Sequence, residues 1–592
     1  MKILLGSISI SYDLWLPYSS GCLISYAKHH VACQDILFDE PLYKWLPDDQ
    51  LLAKLQGVDI LGLTCYTWNQ DYNYHIASVF KSHNPTGIVI FGGPNVPISK
   101  ELQLEFVEQF PTVDCFMVGP GERTFAMILQ KLTDPVSTWP YCFGNNFNNA
   151  DQKAPQVSTE FMPQPYLDGT FDSILSRESR IKASFETNRG CPFKCAFCDW
   201  GGQANSRVTK FPVDQVNATI DYIYAHTSVS EIEILDANFG MTHRDLDTVK
   251  YMLLAKQNSG HNPTVSYSGL VKNGSPYLID IIDIIHNHLG AEQRHLKLSF
   301  QTHSEQTLDV MLRDNIKNQK LLNMLDKLRA LNIDISSEMI IGMPGETATS
   351  WLKSQAVDYD HGISFMRTYL LSLVCNTKLY ERDFRKQHSI KSKKILIPYE
   401  IKNVNKSVLI HDPEFAVLYG SEFESSEIIH QCNSFDLDEL ILMFRYFWWY
   451  HNFYNSRAFK KTIAYLHQMG IGIQQQVVEF YRALDRNTVL GQIVARNDTI
   501  VSRIFKDEPV TILNDYASYR FFSGSLRTND LHVMLQNSTR IGDELTAIIQ
   551  TSHSNLDSIY SVVRSDIDGW IYAGTSDSIQ AKKLFNMGSS MT

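Results

Sequence analysis

No apolar stretch of this 592-residue chain is long enough to cross a bilayer, so no membrane partner is expected. The opening Met1-Lys2-Ile3-Leu4-Leu5 meets Ser7 and Ser9 too soon to form the core of a secretion signal. Ten cysteines are too few for a disulfide scaffold at this length, which points to a reducing, cytoplasmic setting. Repeats of solenoid period and low-complexity tracts are missing. So are Gly-x4-Gly-Lys and Gly-x-Gly-x-x-Gly, which leaves a mononucleotide or NAD site without support. Positive charge is in deficit, with 53 Lys and Arg against 64 Asp and Glu, and the net charge of −11 argues against nucleic acid as a partner. What remains is an ordinary folded composition, 44% hydrophobic and 20% charged, with length for three or more domains.

The first third alternates short apolar runs with helical segments. Lys2–Ile10, Val58–Thr64, Ile88–Phe91 and Val113–Val118 read as buried strands, and Cys22–His29 as a helix. Such a pattern predicts an α/β, doubly wound, Rossmann-like parallel sheet over residues 1–143, whose ligands sit beyond the carboxyl ends of the strands. Glycines fall at those ends, in Gly92-Gly93-Pro94-Asn95 and Gly119-Pro120-Gly121-Glu122. They either let the backbone approach a large flat ligand or simply make tight turns. Residues 144–182, rich in Asn and Pro at their start, read as a linker.

A second alternation fills residues 183–382. Lys182–Thr187, Glu231–Gly240, Thr264–Leu270, Leu296–Thr302, Ile335–Ile341 and Arg367–Leu373 are its strands, and they predict a full or partial β/α barrel with chemistry at the strand carboxyl ends. The first strand delivers Cys191-Pro192-Phe193-Lys194-Cys195-Ala196-Phe197-Cys198, three thiols within eight residues between Gly190 and Gly201-Gly202. Structural zinc usually takes two cysteine pairs and four ligands, whereas here one triplet stands alone and the next cysteine is Cys375. Three thiolates aimed at one point suit an iron–sulfur cluster with one open iron. Cys22, Cys33, Cys65, Cys115 and Cys142 are scattered and show no second cluster-like group.

The Cys-x3-Cys-x2-Cys loop, with Phe197 before its last cysteine, resembles the signature of radical S-adenosylmethionine (radical SAM) enzymes. Asp236–Gly240, Ser299–Thr302 and Ile340–Glu346 are similar to that superfamily's motifs on its second, fourth and fifth strands. The strand ends at Pro17–Gly21, Gly62–Asn69, Phe91–Asn95 and Val118–Phe125 resemble the cobalamin-binding domain that precedes many of these enzymes. The Asp-x-His-x-x-Gly motif of methionine-synthase-type domains is lacking, so by resemblance no histidine would ligate cobalt.

The resemblance, which spans about residues 1–380, implies a [4Fe-4S] cluster on Cys191, Cys195 and Cys198, SAM on the open iron, and cobalamin in the N-terminal domain. Phe197, Asp236, Asn238, Ser268, Gln301, Glu338 and Gly342 would line the SAM site. Thr64, Tyr66, Trp68, Asn69, Gly92, Gly93, Pro94, Asn95, Gly119, Gly121 and Glu122 would line the cobalamin site. Trp68 and Asn69 are candidates for the lower face of the corrin, and Trp200 either walls the cluster from water or packs.

Residues 383–592 are expected to form a mostly helical capping and substrate domain. Phe435–Phe459 and Ile471–Leu484 read as helices, and Ser558–Tyr572 as strand-like alternation around an Asp-Gly turn. Tyr446, Tyr450 and His451 are candidates for handling protons at a substrate, with packing as the favoured reading.

The implied activity is methyl transfer from SAM through methylcobalamin to an unactivated carbon or phosphorus of a small molecule or peptide, with a flavodoxin- or ferredoxin-like electron donor. The alternatives are a rearrangement, cyclisation or oxidation that uses the same cofactors, and a sensor without turnover.

Overall fold

The computed structural model describes residues 1–9, 14–32, 35–150, 154, 157–200, 207–269, 274–291, 295–398, 423–505, 533–534, 536–556 and 558–575. Cys33, Gly201 and Gly202 fall outside them, as do Ile10 and Leu270 at the ends of two expected strands.

The N-terminal sheet begins with β1 (Lys2–Gly6), β2 (Leu37–Phe38), β3 (Ile60–Thr64), β4 (Ile88–Gly92) and β5 (Cys115–Met117). They lie parallel in the order β2-β1-β3-β4-β5, and an antiparallel hairpin of β6 (Cys142–Gly144) and β7 (Phe147–Asn148) extends the far edge. Both faces of these strands are apolar because both are covered. Ile3, Leu5, Ile60 and Ile90 pack on one side with Ile24 and Phe125, while Leu4, Leu61, Val89 and Phe91 pack on the other with Phe80 and Phe110. In this strand order the crossovers change direction between β1 and β3, which opens a crevice at their carboxyl ends.

The segment expected as a linker is packed throughout much of its length. Met162, Tyr166, Phe171 and Ile174 are buried in the core of the second half of the chain. The Tyr166 hydroxyl donates to the Ser184 carbonyl at 2.6 Å and accepts from the Ser184 N–H at 3.1 Å. Irregular backbone here is stabilised by side-chain burial, which leaves no periodic trace in the sequence.

The central domain carries β8 (Ile181–Phe185), β9 (Asn188–Arg189), β10 (Thr209–Lys210), β11 (Val229–Ile234), β12 (Thr264–Tyr267), β13 (His295–Gln301), β14 (Asp334–Ile341) and β15 (Phe365–Leu370). Two parallel sheets, β12-β11-β8 and β13-β14-β15, make the partial barrel, and a bridge from Val265 to Ala291 lies between them. β9 and β10 form a short antiparallel ribbon at its mouth. Strand alternation sends Ile181, Ala183, Ile232, Ile234, Val265, Leu296, Met339 and Met366 outward into the apolar core under the helices. The opposite parity is polar. Lys182 pairs with Glu231, Ser266 donates to Glu231 at 2.7 Å, Ser268 to Glu233 at 2.8 Å, and Ser299 to Glu338 at 2.5 Å. The inner wall is therefore a hydrogen-bonded polar surface, unlike the apolar layers that fill a closed eight-stranded barrel.

Beyond β15, an antiparallel hairpin of β16 (Lys391–Pro398) and β17 (Phe423–Gln431) joins the barrel edge, where the Leu373 N–H donates to the Glu427 carbonyl at 2.8 Å. Helices follow at Leu437–Trp449, Lys460–Gln468, Ile473–Ala483, Val489–Phe505, Ser538–Ser552 and Ile559–Thr575. The last of these corrects the strand-like reading of Ser558–Tyr572. Ile559, Val563 and Ile567 recur every four residues, all are buried, and the missing side chain of Gly542 lets Ile567 close on the neighbouring helix. The aromatic helix widens to a π-helix over Tyr450–Asn455. There Asn455 bonds both backbone groups of Met366, accepting from its N–H at 3.0 Å and donating to its carbonyl at 2.7 Å. Tyr446 and Tyr450 are buried in the core formed with this helix, and His451 is buried on it.

Candidate functional site

The cysteine loop is held by its backbone and leaves its sulfurs to other partners. The Ala196 N–H donates to the Met311 carbonyl at 2.8 Å, and its carbonyl accepts from the Leu379 N–H at 2.7 Å. Asp236, buried at the end of β11, fixes the entry to the loop. Its oxygens accept from the Thr187 N–H (2.7 Å), the Asn188 N–H (3.3 Å), the Asn188 side-chain amide (2.6 Å) and the Thr187 hydroxyl. Burial pushes its carboxyl up to about 7, while these donors pull in the opposite direction. Both carboxylate oxygens are thus occupied by the chain itself.

Cys191 and Cys195 are buried and Cys198 is half-buried, all three as thiols without disulfides. The Asn238 amide donates to Cys191 Sγ at 2.9 Å. Arg313, buried and not singled out by the sequence, reaches Cys195 Sγ at 3.7 Å, lies over the Phe197 ring at 6.0 Å, and donates to the Ser299 carbonyl. An amide and a guanidinium aimed at sulfur are the kind of donors that support metal-ligating cysteines. Among the described residues no three His, Cys, Asp or Glu side chains are gathered around one point as for a single ion.

Two further acceptors at this mouth have no partner: the Asn238 Oδ1 and Gln301 Oε1 atoms are buried and unpaired. Gln301 also holds a left-handed φ of 68°, which turns the chain at the end of β13. Each of these acceptors could receive an N–H group of a ligand such as SAM. Ser268 and Glu338 face the inner wall, bonded to Glu233 and Ser299 respectively. Gly342, with φ 88°, runs past the Ile429 carbonyl of β17. Next to the cysteines, burial pushes the Asp199 carboxyl up to about 6, and Trp200 is 45% exposed.

Across the interface the strand ends of the first sheet present the other set. Thr64 Oγ1, at the end of β3, is buried without a partner, and Asn73 holds the Thr64 carbonyl at 2.6 Å. The rings of Tyr66 and Trp68 stack at 4.4 Å, and Trp68 is 48% exposed. Asn69 shapes this turn from inside, accepting from the Tyr66 N–H at 2.8 Å and donating to the Ile8 carbonyl at 3.0 Å. An orphaned hydroxyl near an aromatic pair whose Trp68 ring is exposed suits a large planar ligand with amide rims. Asn95 bonds Gln70, and Gly93, at φ 108°, packs on Cys65, so a Cβ there would meet the Cys65 carbonyl at 3.0 Å. Gly92 and Gly121 lie against Met117, and Gly119 takes φ 74°.

Three of the ties that join the two halves lie at these loops. The loop after β1 pairs with β8, Leu16 N–H to Lys182 carbonyl at 2.9 Å and Lys182 N–H to Leu14 carbonyl at 2.7 Å. Asn376 of the barrel donates to the Pro94 and Val96 carbonyls, each at 2.8 Å, and accepts from the Ile98 N–H at 2.8 Å. Glu122 accepts from Arg189 at 2.7 Å.

Comparison with known proteins bears on the same regions. The profile of the radical SAM superfamily matches residues 185–354. The chain is 25% identical over 81% of its length to a 2-(S-pantetheinyl)-carbapenam-3-carboxylate methyltransferase of Streptantibioticus cattleyicolor, covering 70% of that protein. It is 26% identical, with the same coverage, to the cobalamin-dependent radical SAM methyltransferase TokK of Streptomyces tokunonensis. The solved structure of OxsB, a cobalamin-dependent SAM radical enzyme with aqua-cobalamin and SAM bound, superposes over all of this chain and 84% of its own, at a TM-score of 0.54 and 14% identity.

Proposed function

We propose that this chain, a radical SAM enzyme of the cobalamin-dependent type, moves a methyl group from SAM through cobalamin to an unactivated carbon or phosphorus of a small molecule or peptide. The observation that carries the reading is the direct tying of the two sets of strand ends to each other. The loop that bears the cysteines and the loops of the first sheet are thereby parts of one wall system. Bound there, the cofactors would supply a strong one-electron reductant with SAM as its substrate, and a methyl carrier.

The chain's own contribution is placement and shelter. Cys191, Cys195 and Cys198 would hold the cluster, with Asn238 and Arg313 donating to sulfur and Asp236 keeping the loop in shape. Asn238 Oδ1 and Gln301 Oε1 would receive N–H groups of SAM. Thr64 and the Tyr66–Trp68 pair would meet the corrin from the β3 side, and no histidine of the β3 end is available to ligate cobalt. An electron donor of flavodoxin or ferredoxin type would reduce the cluster.

The test uses anaerobic protein reconstituted with iron, sulfide and cobalamin, then reduced and given SAM labelled in its methyl group. The expected result is iron and corrinoid bound in stoichiometric amount, label in the corrinoid, and label passing into a low-molecular-weight or peptide fraction of a host extract. Changing any one of the three cysteines to Ser should abolish SAM cleavage. Release of 5′-deoxyadenosine with no labelled product would refute methyl transfer and leave a rearrangement or oxidation. A protein that takes up no corrinoid would refute the cofactor assignment itself.

A further inference from the structure

Of the three ties at these loops, one is ionic, mostly withdrawn from water (the Arg189 side chain is 28% and the Glu122 side chain 9% exposed), and ends beside the cysteines. Arg189 donates through Nη1 to Glu122 at 2.7 Å and through Nε to Glu186 at 2.8 Å, and its guanidinium lies 5.7 Å over the Phe211 ring. Glu122 belongs to the first sheet's side, in the opening turn of the helix Gly121–Leu129 that follows β5. Glu186 follows β8, and Arg189 itself sits on the β9–β10 ribbon, pairing with Thr209. Gly190, at φ 100°, then turns the chain directly into Cys191. The guanidinium thus holds one carboxylate from each half of the protein.

We propose that Arg189 is a positioning residue that sets the spacing and orientation of the cobalamin-facing loops relative to the cluster loop. The inference rests on the functional reading above, since it supposes two cofactors that must address one substrate. Placement matters at this scale because an error of about 1 Å can cost about 10²-fold in rate. Arginine suits the task because its planar fork offers two N–H directions at a fixed angle. Lysine would keep the charge but not the angle, and could satisfy the two carboxylates only as a point charge. Loss of the cation would leave Glu122 and Glu186 facing each other with their charges unpaired, and the loops at this end of the interface would shift apart.

The variants are Arg189→Lys, which keeps the charge, and Glu122→Gln, which lies outside the cysteine loop and weakens the clasp from the far side. In holoenzyme with both cofactors loaded, the readout is the magnetic dipolar splitting between the reduced cluster and cob(II)alamin in the EPR spectrum. The wild type should show a single defined splitting, and both variants a broadened or shifted one at equal cofactor content. An unchanged splitting in both variants would overturn the proposal. Scanning calorimetry of the cofactor-free protein reads the clasp without relying on the functional assignment. There the variants should unfold the first sheet in a separate, earlier transition, and thermograms identical to wild type would likewise overturn it. Failure of the wild type to bind corrinoid would instead defeat the functional reading, with the calorimetric result left to decide whether the clasp exists.

Discussion

Asn376 offers the cleanest measure of how firmly the two halves are joined. Its side chain makes three hydrogen bonds of 2.8 Å to the backbone of residues 94–98, and its own backbone sits at φ 65°, a conformation that asparagine tolerates better than most residues. Asn376→Gly removes the three bonds while relieving the backbone. At roughly 1 kcal/mol of net contribution for each bond, it should cost about 3 kcal/mol. Asn376→Ala removes the same bonds and adds the left-handed penalty, about 1 kcal/mol more. The difference between the two variants therefore isolates the backbone term, and the Gly variant alone measures the tie. Urea titration of the cofactor-free protein, followed by far-UV circular dichroism, gives both values from the shift in midpoint. If the Gly variant stays within about 0.5 kcal/mol of wild type, the bonds do not join the halves as described, and if Gly and Ala variants unfold together, the backbone term is refuted.

Burial raises the Asp199 carboxyl from its ordinary value near 3.8 to about 6. The folded state therefore holds the proton that the unfolded state releases, so stability falls as pH rises from about 4 to about 6. At 1.36 kcal/mol per pKa unit the loss is about 3 kcal/mol, and Asp199→Asn in iron-free protein should remove it, as denaturation midpoints at pH 4 and pH 7 would show. Tyr166→Phe strips a hydroxyl bonded to both backbone groups of Ser184 and should cost about 2 kcal/mol, with hydrogen exchange accelerated in β8. Arg445 pairs with Asp498 through two bonds of 2.8 and 2.7 Å that join two C-terminal helices. Arg445→Met leaves that half-buried carboxylate with only the exposed Arg486 guanidinium at 3.8 Å and should lower stability by about 2 kcal/mol, an effect that Asp498→Asn in the same chain partly restores.

Ile88–Gly92 was legible as a short apolar run that ends in glycine, and Val229–Ile234 as an alternation of apolar and polar residues. β2 was not, since two residues on a sheet edge carry no pattern. The cysteine loop announced itself by spacing alone. Arg313 did not, because it lies 115 positions or more beyond the cysteines and reaches Cys195 only through the fold. Arg189 carried a usable signal that went unread: an arginine directly before a Gly-Cys turn, with Glu186 three residues earlier. Glu122, grouped by sequence with the corrin-facing loop, has its carboxylate on Arg189. The alternation of Ser558–Tyr572 misled because Ile559, Val563 and Ile567 satisfy a period of two as well as a helical spacing, and only the partner helix decides between them.

The packed connector at residues 157–180 has a consequence for how such a chain can be recombined. Tyr166, Phe171 and Ile174 fill the barrel's outer core rather than spanning open solvent, and Tyr166 is hydrogen-bonded to its first strand. A cut made after the first sheet would carry part of the second domain's interior away with the piece. The half that carries the first sheet is thus no detachable cassette, and grafts between relatives should succeed only when the junction falls before Met162 and the connector travels with its own barrel.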